Sequence, residues 1–214
     1  MAYFRCIGGT GGSVQPLDID AKIGSSGITL TDGRYLSGFT ASAQGYYPLT
    51  QAGAVPSFNM ANAWHIHFKV KASAEHATYY QCVYGAKEGY YRLPLLEFQK
   101  PSSANLFWAG WSENGTSNTR SLNIPKTAVP FVENQWYTID EIWDGSGTVT
   151  LTVTDGTNTY TATQTGVAQW AQPSTATPAL GGASGDPAVN VTYDLADCYW
   201  EQGGVILWGN RATT

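Results

Sequence analysis

Residues 64–71 read Trp-His-Ile-His-Phe-Lys-Val-Lys, with a large apolar side chain at every even position and His or Lys at every odd one. Successive side chains on a strand point to opposite faces, so this run predicts one β-strand with a dry face and a wet face. The same period recurs in 148–154, where Val149, Leu151 and Val153 alternate with Thr148, Thr150, Thr152 and Thr154. Residues 136–143 form a further long strand, which turns at Asp144-Gly145-Ser146-Gly147 into 148–154. Asp155-Gly156 then turns the chain into 159–163. Aspartate–glycine between alternating runs is a strong hairpin signal, so these segments predict a meander.

Shorter β signals complete the pattern. Strands are expected at 28–31, 79–84, 93–98, 105–111, 193–202 and 205–208, with short strands and loops mixed through 36–56. Pro94 points to an edge or bulge position for its strand. The segment 112–119 reads as a polar loop, the stretch carrying Pro125 and Pro130 as a link, and 167–187 as loop. No segment carries a helical period. About a dozen short strands imply two packed antiparallel sheets, an all-β sandwich. Trp64, Ile66, Phe68 and Val70 should share its core with Val149, Leu151 and Val153. His65, His67, Lys69 and Lys71 should be exposed or line a groove.

The 214 residues suffice for one large β domain. Gly8-Gly9-Thr10-Gly11-Gly12-Ser13 is a flexible link, so 1–13 reads as an N-terminal arm and Gly-rich link, and 14–214 as a single sandwich domain. Charged residues make up 13%, half the ordinary share, and Thr, Ser, Asn, Gln and Gly take their place. The net charge is −5, and the 11 Lys and Arg form no stripe, which argues against a nucleic-acid partner. No apolar run reaches membrane-spanning length, and the N-terminus lacks the pattern of a secretory signal. The chain is therefore expected to be made in a cytoplasm and to act outside only after lysis or by a signal-free route. Cys6, Cys82 and Cys198 are far apart and odd in number, which predicts free, buried thiols. Asn114-Gly115-Thr116 and Asn190-Val191-Thr192 match the glycosylation sequon but read as turn and strand sequence.

Several segments together resemble the concanavalin A-like lectin/glucanase domains of the laminin-G-like group. They are Gln135-Trp136-Tyr137-Thr138-Ile139, Trp143-Asp144-Gly145, Val149-Thr150-Leu151-Thr152-Val153 and Asp155-Gly156. Ala179-Leu180-Gly181-Gly182 is similar to the family's late Leu-Gly-Gly segment. Tyr193-Asp194-Leu195, Cys198-Tyr199 and Gly203-Gly204-Val205-Ile206-Leu207-Trp208 resemble its closing strands, in particular those of bacteriophage and prophage tail or appendage proteins. The resemblance runs over about residues 28–208 and implies a jelly-roll sandwich. For function it leaves lectin, hydrolase and inert adaptor open, because one fold hosts all three.

Candidate chemistry narrows this choice. Laminarinase-like members carry carboxylates at alternate positions of a strand, so that acid and nucleophile meet the sugar on one face. Here Asp140 and Glu141 are neighbours and point to opposite faces, and Asp144 opens a turn. No catalytic residues are therefore assigned, and no enzyme activity is expected. Glu141 shares its strand face with Ile139 and Trp143, which suggests a bulge or a buried hydrogen bond. His65 and His67 project from one face, but Glu75 is too far along and the only other histidine, His76, lies in the following turn, so a third and fourth ligand at suitable spacing are missing and no transition metal is expected. The resemblance allows a structural Ca²⁺ at a sheet rim, with Asp186, Asn190, Asp194 and Asp197 among the acceptors at hand. No other cofactor is implied.

The aromatic share, 13% with 8 Trp and 13 Tyr, is the remaining signal. Sugar rings stack on flat aromatic faces while uncharged polar groups fix their hydroxyls. Trp64, Trp136 and Trp208 lie in patterned strands and read as structural. Trp108 and Trp111, beside the loop that carries Glu113, Asn114 and Asn118, form the candidate ligand-binding set. The sequence thus points to a non-catalytic, carbohydrate-binding domain of a phage or prophage virion, a tail appendage or decoration protein touching bacterial surface glycan. Its N-terminal arm would attach it to other virion proteins. The alternatives are a structural virion protein that holds neighbours, including copies of itself as a homo-oligomer, through flat uncharged faces, and a glycan hydrolase.

Overall fold

The computed structural model describes residues 29–31, 35–41, 47–48, 62–75, 81–86, 94–111, 120–168, 178–180 and 191–209. The N-terminal arm and link fall outside these residues. Two antiparallel sheets face each other. The larger contains β1 (Thr29–Thr31), β2 (Tyr35–Ala41), β4 (Trp64–Ala72), β9 (Trp136–Trp143), β10 (Thr148–Thr154), β11 (Thr159–Thr165), β13 (Val191–Gln202) and β14 (Val205–Gly209). Its order is β1-β2-β13-β4-β9-β10-β11, with β14 also pairing β13. The smaller contains β3 (Tyr47–Pro48), β5 (Gln81–Ala86), β6 (Leu95–Phe98), β7 (Asn105–Trp111), β8 (Arg120–Pro125) and β12 (Pro178–Leu180), in the order β3-β12-β5-β6-β7-β8.

The two-period patterning decides which face each sheet buries. In β4 the even positions Trp64, Ile66, Phe68 and Val70 are at most 2% exposed. The odd positions of β4 are partly exposed. Val149, Leu151 and Val153 lie in the same core, as the alternation requires. The smaller sheet supplies Tyr84, Leu96, Phe98, Phe107, Ala109, Leu122 and Ile124 to it. Phe98, Phe107 and Tyr137 meet edge to face or tilted, with Phe98 and Phe107 centroids 4.2 Å apart. Such contacts add to the stabilisation from burial itself.

The turns are built locally. Asp144 Oδ1 accepts hydrogen bonds from the backbone N–H groups of Ser146, Gly147 and Thr148, at 2.7, 2.9 and 3.0 Å. Those bonds, the one from Thr148 foremost, hold the Asp144 carboxyl well below the ordinary carboxylate range. Gly145 takes φ 77°, and a side chain there would press on the Ala63 backbone. Glycine is thus required at this turn.

Three expectations change. Residues 120–125, read as a link, form β8, because Leu122 and Ile124 alternate into the core before Pro125 ends the strand. Residues 178–180 form β12 within the stretch read as loop. Pro94 precedes β6, which lies between β5 and β7 rather than at an edge, although the β5–β6 ladder carries a register irregularity between Cys82 and Tyr84. Its missing N–H costs nothing there because the ladder begins one residue later. Cys198 is buried, as expected. The environments of Cys6 and Cys82 lie outside the described residues.

Candidate functional site

Strand alternation separates the two tryptophans of the expected site. Positions three apart on a strand face opposite ways. Trp111 turns inward and is 0% exposed within the core. It has no ring face to offer a ligand, and its assignment to the site is corrected on that ground. Trp108 turns outward and is partly exposed. Its indole lies flat over Gly110, where a Cβ would come 2.1 Å from the ring. Asn123 is the direct cross-strand partner of Trp108 and is exposed. Asn105 donates from Nδ2 to Asn123 Oδ1 at 2.9 Å, and it shares the outer face with Trp108 because the register shifts between Asn105 and Phe107. The outer face of the smaller sheet therefore sets one indole beside two linked carboxamides. Glu113, Asn114 and Asn118 lie outside the described residues.

A second cluster sits on the outer face of the larger sheet. His65 and His67 leave β4 on the same side, and His67 is directly opposite Asp140 on β9. Asp140 Oδ1 lies 2.6 Å from His65 Nε2 and 2.7 Å from His67 Nδ1. Tyr199, across from His67 on β13, stacks on that imidazole with centroids 5.0 Å apart and places its hydroxyl 3.3 Å from His65 Nδ1. Burial pushes the Asp140 carboxyl upward, but the hydrogen bonds from the two imidazoles and their electrostatic pull outweigh it. The group is held well below the ordinary carboxylate range. The expectation of no metal rested on missing third and fourth ligands, and the third is present in the fold. Asp140 supplies a third group of ligand type from a strand some 75 residues away in sequence. Neither Asp140 nor Tyr199 was singled out with the histidines, because cross-strand register links them.

Asp140 and Glu141 do face opposite ways. Glu141 is fully buried between Ile66 and Leu151 and accepts a hydrogen bond from the Tyr84 hydroxyl through Oε2. This is the buried hydrogen bond expected of it, and the ladder runs through Glu141 without a bulge. Its Oε1 has no hydrogen-bond partner among the described residues. Burial pushes its carboxyl up to about 8, against the opposing effect of the Tyr84 bond, so the group is protonated at neutral pH. A neutral, enclosed acid cannot pair with Asp140 across the sheet, so the two carboxylates do not form a glycosidase dyad. Of the residues considered for Ca²⁺, Asp194 is engaged by Lys71 at 2.8 Å. The side chains of Asp186, Asn190 and Asp197 lie outside the described residues.

No protein-family model and no curated protein matches the chain. Solved structures do. The receptor binding domain of botulinum neurotoxin D aligns over 94% of this chain and 46% of its own, with TM-score 0.60 and 8% identity. The binding domain of serotype G aligns over 95% of this chain and 45% of its own, with TM-score 0.59 and 9% identity. A serotype D ligand binding domain in complex with N-acetylneuraminic acid aligns over 94% and 44%, with TM-score 0.55 and 8% identity. The chain spans less than half the length of each of these structures. At such identities the likeness is one of fold: a concanavalin A-like sandwich of two antiparallel sheets.

Proposed function

We propose that this domain is a non-catalytic carbohydrate-binding module. The observation that carries the reading is the partly exposed Trp108 indole, laid over Gly110 and flanked by the Asn123 and Asn105 carboxamides. A flat apolar ring next to uncharged donors and acceptors matches the C–H faces and hydroxyls of a sugar. Botulinum binding domains of the same fold, solved with sialylated ligands, lend support from a distance, since less than half of each is matched. The resemblance of 193–208 to phage appendage strands supplies the finer setting: a virion component that touches bacterial surface glycan. One sugar per site binds weakly because it must surrender well-ordered water, and many copies on one particle would compensate. The test is attachment to isolated bacterial surface polysaccharides and a glycan array. Trp108→Ala should weaken attachment about tenfold, for the loss of about 1.4 kcal/mol, with melting unchanged. Failure of the wild-type protein to bind any glycan would remove the reading.

One observation favours a structural virion role instead. On the outer face of β10 and β11, Thr148, Thr150, Thr152 and Thr154 stand opposite Thr165, Thr163, Thr161 and Thr159. This flat, uncharged ladder could seat a neighbouring subunit without any ligand.

A further inference from the structure

The two imidazoles and the carboxylate on the outer face of the larger sheet have a use that glycan binding does not require. We propose that His65, His67 and Asp140 form a binding site for a zinc-class divalent metal ion, with one coordination position left to water. The three ligand atoms all lie within 4.8 Å of one another. A tetrahedral zinc ion at about 2.0–2.2 Å from each ligand needs its ligand atoms roughly 3.3 Å apart. The present 2.6 and 2.7 Å separations therefore have to open by a fraction of an ångström, and the two imidazole nitrogens, within 4.8 Å of each other, have to settle at that same spacing.

The donor set selects the ion. Two imidazoles suit zinc, copper or nickel and are poor partners for the oxygen-seeking Ca²⁺ and Mg²⁺. Position is equally suitable. The ligands come from β4 and β9, paired neighbours inside the larger sheet, so their backbones are fixed by ladders on both sides. With His65 Nε2 on the metal, the proton must sit on Nδ1, where the Tyr199 hydroxyl at 3.3 Å accepts it. Tyr199 also fixes the plane of the His67 ring by stacking. Side-chain exposures of 20%, 16% and 30% for His65, His67 and Asp140 leave room for a water-borne fourth ligand. Three protein ligands and an open position is the arrangement of an accessible metal centre rather than a closed structural one.

The experiment uses the full chain without a histidine tag, stripped with a chelator and titrated with Zn²⁺ by calorimetry. One ion per chain should bind, and saturating Zn²⁺ should raise the melting temperature, whereas Ca²⁺ and Mg²⁺ should not. Co²⁺ in place of Zn²⁺ should show the intense visible bands of a four-coordinate ion. His67→Ala and Asp140→Asn should each lose more than about 100-fold in affinity, beyond the range typical of outer partners. Nuclear magnetic resonance of the wild-type imidazoles gives a reading that needs no variant to fold. The His65 and His67 signals should move on adding Zn²⁺, while that of His76, the third histidine of the sequence, stays. Absence of stoichiometric uptake by the wild-type chain overturns the proposal. So does undiminished uptake by either folded variant, or zinc that shifts His76 and leaves His65 and His67 in place.

Discussion

Glu141 shows what a single residue can cost and control in this fold. It stands where an apolar side chain would pack best, between Ile66 and Leu151, and among the described residues only Tyr84 answers it. Its folded-state value of about 8 lies above the ordinary 4.5. Between those values the native chain keeps a proton that the unfolded chain has released, so stability falls as pH rises. The contribution is fully present below 4.5 and is lost as pH rises through 8. Glu141→Gln keeps the shape and the acceptor for Tyr84 but cannot ionise. It should flatten the decline of melting temperature across this interval and be the more stable form above it. A parallel decline in the variant would show that another group titrates. Trp111 and Trp108 make a contrasting pair at the same scale. Trp111→Ala empties a core position and should cost about 3–5 kcal/mol in denaturant unfolding. Trp108→Ala should cost much less, because its ring lies on the surface.

At the scale of the element, β7 presents its indole through Gly110. A Cβ at 110 would overlap the far end of the Trp108 ring, which can swing away cheaply, so Gly110→Ala should leave the melting temperature close to that of the wild type. It should still weaken glycan attachment as Trp108→Ala does, since the ring could no longer lie flat. Full attachment by Gly110→Ala would mean that the flat placement of the ring is irrelevant. The strands themselves were legible wherever a two-residue period ran long enough, as in β4, β9 and β10, because alternation is a local property. β8 was obscured because only Leu122 and Ile124 carry its dry face and Pro125 mimics a break. The separation of Trp108 from Trp111 was readable from the same alternation that split Asp140 from Glu141. Proximity in sequence is not proximity on a face. The joining of Asp140 and Tyr199 to the histidine pair was not readable in this way. It depends on which strands become neighbours and in what register, and those contacts span more than 70 residues.

On the scale of the whole molecule, two sheets share one core and leave two outer faces with different chemistry. The smaller sheet offers an indole and carboxamides, and the larger a cluster of imidazoles and a carboxylate beside a ladder of threonines. The core is continuous across both sheets, so damage at its centre is felt by both faces: Phe68→Ala should cost about 3–5 kcal/mol and weaken every surface activity together. Recognition through stacking and neutral hydrogen bonds should change little between low and high salt, whereas capture by charge would fade as salt rises. The most direct test of the glycan-binding account follows the tryptophan indole N–H signals by nuclear magnetic resonance while a bound surface glycan is titrated in. The account predicts that the Trp108 signal moves progressively to saturation while those of the buried Trp111 and Trp143 remain in place. A saturable shift that leaves Trp108 unmoved would contradict it.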